Sequence, residues 1–207
     1  MMVGEGSGAA PELNGLIERG KAAEAAGLDS AWIANIALDA MTASTALGAA
    51  TDHIEIGTAV VPTFTRHPMA MAQQAASTQL VCEGRFTLGV GLAHQFMVEN
   101  AWGLSYQKPA RHMRAYLEII KPLLDGKPIQ HESDQYKVNL QPPPGGNKTS
   151  VLVAALGPVM LRVAGELADG TITWATGRKT LEDHIVPGLI KGSEKAGRPT
   201  PRVVAGF

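Results

Sequence analysis

The chain has 207 residues, of which 45% are hydrophobic, and its 18 basic and 19 acidic residues leave a formal net charge of -1. This length and composition suit one domain with a substantial core, and the balanced charge argues against a nucleic-acid or membrane-surface binder. The single cysteine, Cys82, excludes an internal disulfide framework, and no apolar run approaches the ~20 residues that span a bilayer. The start, "MMVGEGSGAAPEL", lacks the features of a signal peptide, so we expect a cytoplasmic protein.

In chain order, the apolar pattern predicts short strands that alternate with amphipathic helices. "MMV" is interpreted as the tail of a first strand. A helix begins near Pro11 and stops at Gly27, and Asp39 is the expected N-cap of the next helix. The later strands are predicted at 30–35, 53–61, 84–93, 150–156, 170–176 and 202–206. The helices are predicted at 11–26, 39–51, 69–82, 95–103, 109–125, 159–168 and 181–197.

Buried apolar strands separated by helices are typical of a parallel α/β sheet with right-handed crossovers. Periodicity leaves two alternatives, an open doubly wound sheet and a (β/α)₈ TIM barrel. Glycines near strand ends, Gly91, Gly157 and Gly177, favour the barrel. About seven strands do not complete eight, so we expect a barrel that is incomplete at both ends. The stretch between the helix at 109–125 and the strand at 150–156 is expected to be irregular, with "QPPPGGNKTS" as a surface loop.

Residues that carry chemistry in such folds lie in loops after the carboxyl ends of the strands. The six histidines form no His-x₃-His pair and there is no Cys-x-x-Cys, so no metal site is expected. There is no G-x-S-x-G, and Cys82 beside Val81 is predicted to be an inert buried thiol.

"GVGLAH" ends the fourth strand and resembles half of a glycine-rich dinucleotide motif, without its third glycine. One interpretation is that the glycines only let neighbouring backbone approach closely. The other is that Gly91 offers a flat surface for a planar ring, with His94 at the mouth of a pocket. A neutral imidazole can donate or accept a hydrogen bond at cytosolic pH, so His94 is either a site residue or an ordinary surface histidine.

Two later strand ends have features that suit an anion. In "AALGPVM" the turn at Gly157 leads into a helix whose free N–H groups favour phosphate. "WATGRKT" follows the next strand and offers Thr176, the Gly177 amide and Arg178. Neighbouring late strands often share a phosphate site in barrels, but ordinary tight turns would give the same pattern.

"TFTRHP" joins the third strand to its helix, and His67 in it could be a catalytic base, a metal ligand, a cofactor contact or a residue that starts the helix. Pro68 fits a first helical position, which favours the last interpretation. Arg66 is then a structural or phosphate-side charge.

Taken together, these segments resemble the luciferase-like monooxygenase superfamily, and within it the oxidoreductases that use the deazaflavin coenzyme F420. The resemblance is carried by "AAEAAGLDSAWIAN", "IEIGTAVVPTFTRHPMAMAQQAASTQL", "EGRFTLGVGLAH", "ARHMRAYLEIIKPLLDGKP", "VLVAALGPVMLRVAGELADGTITWATG" and "AGRPTPRVVAG". They occur in the family's order across nearly the whole chain.

The resemblance implies a single (β/α)₈ barrel domain with an insertion at about 95–150. It also implies a non-proline cis peptide at Ala59–Val60 that bulges against the deazaflavin ring. The cofactor contacts that it implies, or that we infer beside them, are Asn35, Ala59, Val60, Gly91, Ala154, Ala155, Leu156, Gly157, Thr176, Gly177 and Arg178. Trp174 is expected to line the substrate pocket.

The chain departs from relatives at two positions. Some have an Asp-His pair where this chain has Asn35-Ile36, and some have a glutamate where it has His94, so His94 becomes the candidate catalytic proton-transfer group. We expect an F420-dependent oxidoreductase that acts on a small molecule and forms a homodimer. The alternatives are an FMN-dependent flavin monooxygenase, and a non-catalytic or truncated barrel that binds a partner chain.

Overall fold

Short strands and helices alternate along the chain, as the apolar pattern predicts. The computed structural model describes residue 1, residues 12–144 and residues 148–206. In this part of the chain the strands are β1 (Ser30–Ile33), β2 (Glu55–Thr58), β3 (Val61–Pro62), β4 (Phe86–Gly91), β5 (Ile129–Glu132), β6 (Lys137–Leu140), β7 (Ser150–Ala154), β8 (Gly170–Thr173) and β9 (Arg202–Ala205). The α-helices are α1 (Leu13–Ala25), α2 (Ala40–Gly48), α3 (Pro68–Val81), α4 (Pro109–Leu124), α5 (Pro158–Leu167), α6 (Arg178–Thr180) and α7 (Val186–Lys195). Two π-helical turns are Met97–Ala101 and Leu181–Ile185.

The parallel sheet curls into part of a barrel. Its strand order is β1-β2-β4-β7-β8-β9, with β3 paired to β4, so β2 and β9 are four positions apart. Even so, the guanidinium of Arg202 on β9 donates to both carboxylate oxygens of Glu55 on β2, at 2.6 and 2.8 Å. Strands in a flat sheet are about 4.8 Å apart, so four steps would separate these residues by about 19 Å. The ion pair therefore excludes a flat open sheet and confirms the predicted barrel curvature.

The curled sheet has an apolar cluster on each face. On the inner face Trp32, Leu152 and Ile172 pack together, with Val60 and Val204 against them. The larger cluster fills the space between the outer face and the helices. It includes Leu16, Leu47, Met71, Tyr116, Leu117, Val151 and Leu161. Both faces of the strands are thus covered, which explains why they are nearly continuous apolar runs.

Local signals in the sequence are confirmed at several element boundaries. Asp39 caps α2 by accepting from the Thr42 amide at 2.9 Å, and Gly27 follows α1 with φ of 74°. The backbone of Met1 hydrogen-bonds to Ser30 and Trp32 of β1, where a first strand was expected. The rest of "MMV" and the predicted helix start at Pro11 lie outside the described residues.

The expectation that the stretch before β7 is irregular was wrong. It contains an antiparallel hairpin in which Ile129 of β5 pairs with Leu140 of β6. Side chains along β5 alternate between partly buried and exposed, and Ile129, Val138 and Leu140 pack against the outer core. This alternation of two was present in "IQHE" and "KVNL", but each run is short and rich in polar residues.

Three predictions about side chains outside the strand ends are confirmed. His67 is the N-cap of α3, and its Nδ1 accepts from the Met69 amide at 3.2 Å. Arg66 forms an ion pair with Asp39, which makes it a structural charge. Burial raises the pKa of the Cys82 thiol to about 11, although Arg85 opposes this, so the thiol is protonated and inert.

No described helix is long and apolar enough to cross a membrane.

We expect the Glu55–Arg202 pair to stabilise the curled sheet measurably. A double-mutant cycle of Glu55→Gln and Arg202→Met, followed by chemical denaturation, should give a coupling free energy of about 1 kcal/mol, at the upper end for a partly exposed pair. The exposed hairpin pair Glu132–Lys137, at 2.8 Å, is the matched control and should give almost no coupling.

The same pair should make stability depend on pH. Burial by itself would raise the pKa of Glu55, but the hydrogen bonds from Arg202 and Thr87 outweigh it and hold that pKa below its ordinary value. The stabilisation is therefore complete above the pKa of an unfolded glutamate and is lost as the pH falls through the folded pKa. A coupling that stays constant through this range would contradict the assignment.

Candidate functional site

A cavity of about 860 Å³ opens at the carboxyl ends of the strands. Its floor is the inner apolar cluster around Trp32 and Ile172, and below that cluster Arg202 lies 5.6 Å from the Trp32 ring. Eight predicted site residues line it: Ala59, Val60, Gly91, His94, Ala154, Ala155, Leu156 and Trp174. The volume and the largely apolar walls are typical of a small-molecule site.

The back wall of the cavity is a bulge between β2 and β3. Gly57 of β2 pairs with Thr87 of β4, and Val61 of β3 pairs with Val90 of β4. Between these two pairs, the segment that joins β2 to β3 has one more residue than β4. The hydroxyl of Thr58 donates to the Gly89 carbonyl and accepts from the Gly89 amide, both at 2.8 Å. This side chain takes the place of the lost ladder bonds and lets the chain bulge into the barrel.

The bulge contains the Ala59–Val60 peptide, which is cis, as the resemblance implies. Ala59 and Val60 both line the cavity. Gly91 on β4 lies directly behind the bulge, since a Cβ on Gly91 would lie 2.5 Å from Val60 Cγ2 and 3.3 Å from Ala154 Cβ. Gly91 is therefore needed to make room for the Val60 side chain. The close approach of backbone, one of the two interpretations of "GVGLAH", is confirmed at Gly89, where a Cβ would lie 1.9 Å from the Thr58 carbonyl oxygen. Whether a planar ring also lies against Gly91 remains a prediction.

The turn from β7 to α5 has the features of an anion site. Ala154, Ala155 and Leu156 line the cavity, and Gly157 is the N-cap of α5 without any side-chain cap. Pro158 at the first helical position has no N–H, so the next amides in the first turn are free donors. A Cβ on Gly157 would meet nothing within 4 Å, so the space in front of this turn is open.

Residues after β8 divide into two groups. Trp174 lines the cavity and is 62% exposed. Thr176, Gly177 and Arg178 lie beyond the lining; the Thr176 hydroxyl donates to the Trp174 carbonyl at 3.3 Å, and Arg178 is paired with Glu182 at 2.8 Å. For Arg178 to contact a phosphate, as predicted, its guanidinium has to leave this exposed ion pair with Glu182.

Of the remaining two candidates, only His94 reaches the cavity. It is an exposed lining residue that follows Ala93, whose φ of 62° turns the chain at the end of β4. Asn35 is not in the lining, because its side-chain oxygen accepts from the Ala40 amide at 3.0 Å and so supports the start of α2. Among the described residues, no group of three or more His, Cys, Asp or Glu is placed to hold a metal ion.

Sequence reasoning missed several lining residues. Those from strands, among them Trp32, Ile172 and Val204, face inward by the two-residue alternation of a strand, which could have identified them. Tyr106 also lines the cavity, from the loop between the first π-helical turn and α4. A single tyrosine in an irregular segment gives no pattern, so no sequence signal pointed to it.

Comparison with known proteins gives a family match along almost the whole chain. The model of the luciferase-like monooxygenase family matches residues 2–207. An F420-dependent glucose-6-phosphate dehydrogenase from Mycolicibacterium fortuitum is 31% identical over 204 residues, which is 88% of this chain and 60% of the relative. This chain thus spans about three fifths of the length of such curated relatives.

Solved structures show the same fold. The coenzyme F420-dependent tetrahydromethanopterin reductase from Methanopyrus kandleri superposes with a TM-score of 0.81 at 26% identity, covering 94% of this chain and 62% of that one. The riboflavin lyase RcaE, solved with modified FMN and riboflavin, has a TM-score of 0.82 at 15% identity, covering 95% and 55%. At this lower identity the likeness concerns the fold alone.

The packing of Gly91 behind the bulge can be tested by substitution. Gly91→Ala places a methyl group against Val60 and Ala154, so we expect it to reduce the free energy of unfolding by about 1–3 kcal/mol through overpacking. The control is Gly15→Ala on α1, where the nearest atom is the flexible end of Arg19 at 3.4 Å; it should stabilise the protein slightly. Equal thermal shifts for the two variants would contradict the close approach.

Proposed function

The chain belongs to the luciferase-like monooxygenase family, and from this we propose that it is an F420-dependent oxidoreductase that transfers hydride between the deazaflavin and a small organic molecule. The observation that carries the proposal is the bulge of Ala59 and Val60, which forms the back wall of a cavity of about 860 Å³. The two relatives named for coenzyme F420 support it, at 31% and 26% identity. When bound, this cofactor supplies a carbon centre that gives or takes a hydride.

The residues present fit such a cofactor at two places. Val60 and Gly91 form an apolar wall, and this wall suits one face of a planar ring. The free amides at the start of α5, behind Gly157, suit the phosphate of the cofactor tail, with Ala154 to Leu156 along its path. Thr176, Gly177 and Arg178 form the second side of this phosphate site.

The protein's contribution is orientation, exclusion of water and one proton-transfer group. The apolar floor around Trp32 keeps the inner end of the cavity dry, and Trp174 covers its outer edge. His94 is the proton-transfer group, because it is a histidine of the cavity lining and imidazoles commonly serve as general acids and bases. Asn35 acts indirectly, because its hydrogen bond from the Ala40 amide holds the loop after β1 in place.

The wider properties of the protein follow from the same proposal. We infer a single barrel domain with an insertion at about 95–150, a cytoplasmic location and a homodimer. An expected dimer can be checked by light scattering of the purified protein at two concentrations.

Titration of the purified chain with coenzyme F420 and, separately, with FMN tests the proposal. We expect F420 to bind more tightly, with quenching of its own fluorescence and of the cavity tryptophans Trp32 and Trp174. Gly157→Asp places a negative charge before the free amides of α5 and should weaken F420 binding by about tenfold. Tighter binding of FMN would favour a flavin monooxygenase, and binding of neither would favour a non-catalytic chain.

The role of His94 predicts a separation of turnover from binding. His94→Ala should lower turnover of reduced F420 with a carbonyl acceptor by about 100-fold, with little change in the dissociation constant of the cofactor. His53→Ala is the control, since His53 is exposed and lies before β2, at the opposite end of the sheet. Unchanged turnover in His94→Ala would remove its assignment.

A further inference from the structure

Tyr106 is a phenol in the cavity wall for which the proposed function provides no role. It lies between the first π-helical turn and α4, and its ring is partly buried. Burial raises the pKa of Tyr106, so the hydroxyl is protonated at neutral pH and is a hydrogen-bond donor.

An aromatic column fixes the position of this phenol. The Tyr106 ring lies 5.4 Å from Phe64, and Phe64 stacks on His112 at 4.1 Å with only 7° between the planes. His112 Nε2 in turn lies 3.0 Å from the Thr63 hydroxyl, and Thr63 donates through its backbone amide to the Gly91 carbonyl at 2.9 Å. The phenol is therefore coupled to the end of β4, which lies behind the back wall.

His112, at the end of the column opposite Tyr106, stays uncharged near neutral pH. Burial lowers the pKa of His112 to about 4, in spite of a hydrogen bond with Gln135. The Thr63 hydroxyl lies 3.0 Å from His112 Nε2 and 3.3 Å from the Gly91 carbonyl, so it links the histidine to the end of β4. A neutral, stacked and hydrogen-bonded histidine holds Phe64 in one orientation, and Tyr106 rests on Phe64.

The cavity that Tyr106 lines has largely apolar walls, with Leu92, Leu156 and Trp174 among the lining residues. A ligand with a hydrocarbon body fits these walls by burying apolar surface. An anionic group beside the phenol would lose hydration and would be repelled by the Glu99 carboxylate, which accepts from the Tyr106 backbone amide at 3.4 Å.

We propose that Tyr106 is a substrate-binding residue whose hydroxyl donates a hydrogen bond to the oxygen of an uncharged ketone, or of the matching alcohol, with an apolar body. The inference rests on the proposed function and specifies the substrate class of the same cavity. It also separates this chain from its relative that is named for glucose 6-phosphate, a charged sugar.

A cycle of two ligands and two side chains tests the hydrogen bond directly. Acetophenone and ethylbenzene have similar bodies, but only the former has an oxygen that accepts. Binding is followed by the fluorescence of the protein's tryptophans, with and without F420. Tyr106→Phe keeps the ring against Phe64. It should weaken the binding of acetophenone by about five- to tenfold and leave the binding of ethylbenzene unchanged.

Tyr116→Phe is the matched control, because the Tyr116 hydroxyl is fully buried without a hydrogen-bond partner and lies outside the cavity lining. It should leave the binding of both probes unchanged. Equal effects of Tyr106→Phe on the two probes would overturn the role of the hydroxyl. Failure of the wild-type chain to bind acetophenone, or tighter binding of glucose 6-phosphate, would overturn the substrate class.

These outcomes are distinct from failure of the proposed function. If F420 does not bind but the probes give the expected cycle, then the cofactor assignment is wrong and the phenol site stands. If F420 binds but Tyr106→Phe affects the binding of both probes equally, then the oxidoreductase proposal stands and the Tyr106 hydroxyl has no part in substrate binding.

Discussion

The cavity depends on the curl of the sheet, and the curl brings Glu55 and Arg202 together at the amino ends of β2 and β9. The pair accepts a further hydrogen bond from the Thr87 hydroxyl to Glu55 at 2.6 Å, so three strands meet at one carboxylate. Trp32 lies over the guanidinium and begins the apolar floor. A charged pair thus lies at the amino end of the sheet, and the inner apolar cluster lies between this pair and the carboxyl ends of the strands.

At the carboxyl ends of the strands, the shape of the cavity is set by the one extra residue that the segment from β2 to β3 has relative to β4. Without the extra residue, Val60 would take a regular place in the strand and would not project across the cavity. Thr58 makes this possible by bonding to both polar groups of Gly89, and Gly91 makes room for Val60. The fold and the site are thus connected through β4, which supports the bulge and is followed by the turn that carries His94.

Much of this was accessible from the sequence, since the parallel sheet, the helix caps and the strand-end loops follow from periodicity and local chemistry. The bulge was not, because "TAVVP" is an ordinary apolar run and only the resemblance to a family indicated it. The β5–β6 hairpin was missed because its runs are short and polar. Asn35 was placed in the site from its position after a strand, but its amide oxygen is used by the backbone of α2.

Tyr106 shows most clearly what could not be predicted from the sequence, because its position depends on contacts between segments that are far apart in the chain. Phe64 follows β3 and His112 lies in α4, 48 residues further along the chain, and their stacking decides where a loop tyrosine lies. No local pattern encodes such a column. It is, however, joined to Gly91 through Thr63, so the same strand end positions both the back wall and the phenol. A change at the end of β4 would therefore move the back wall and the phenol together.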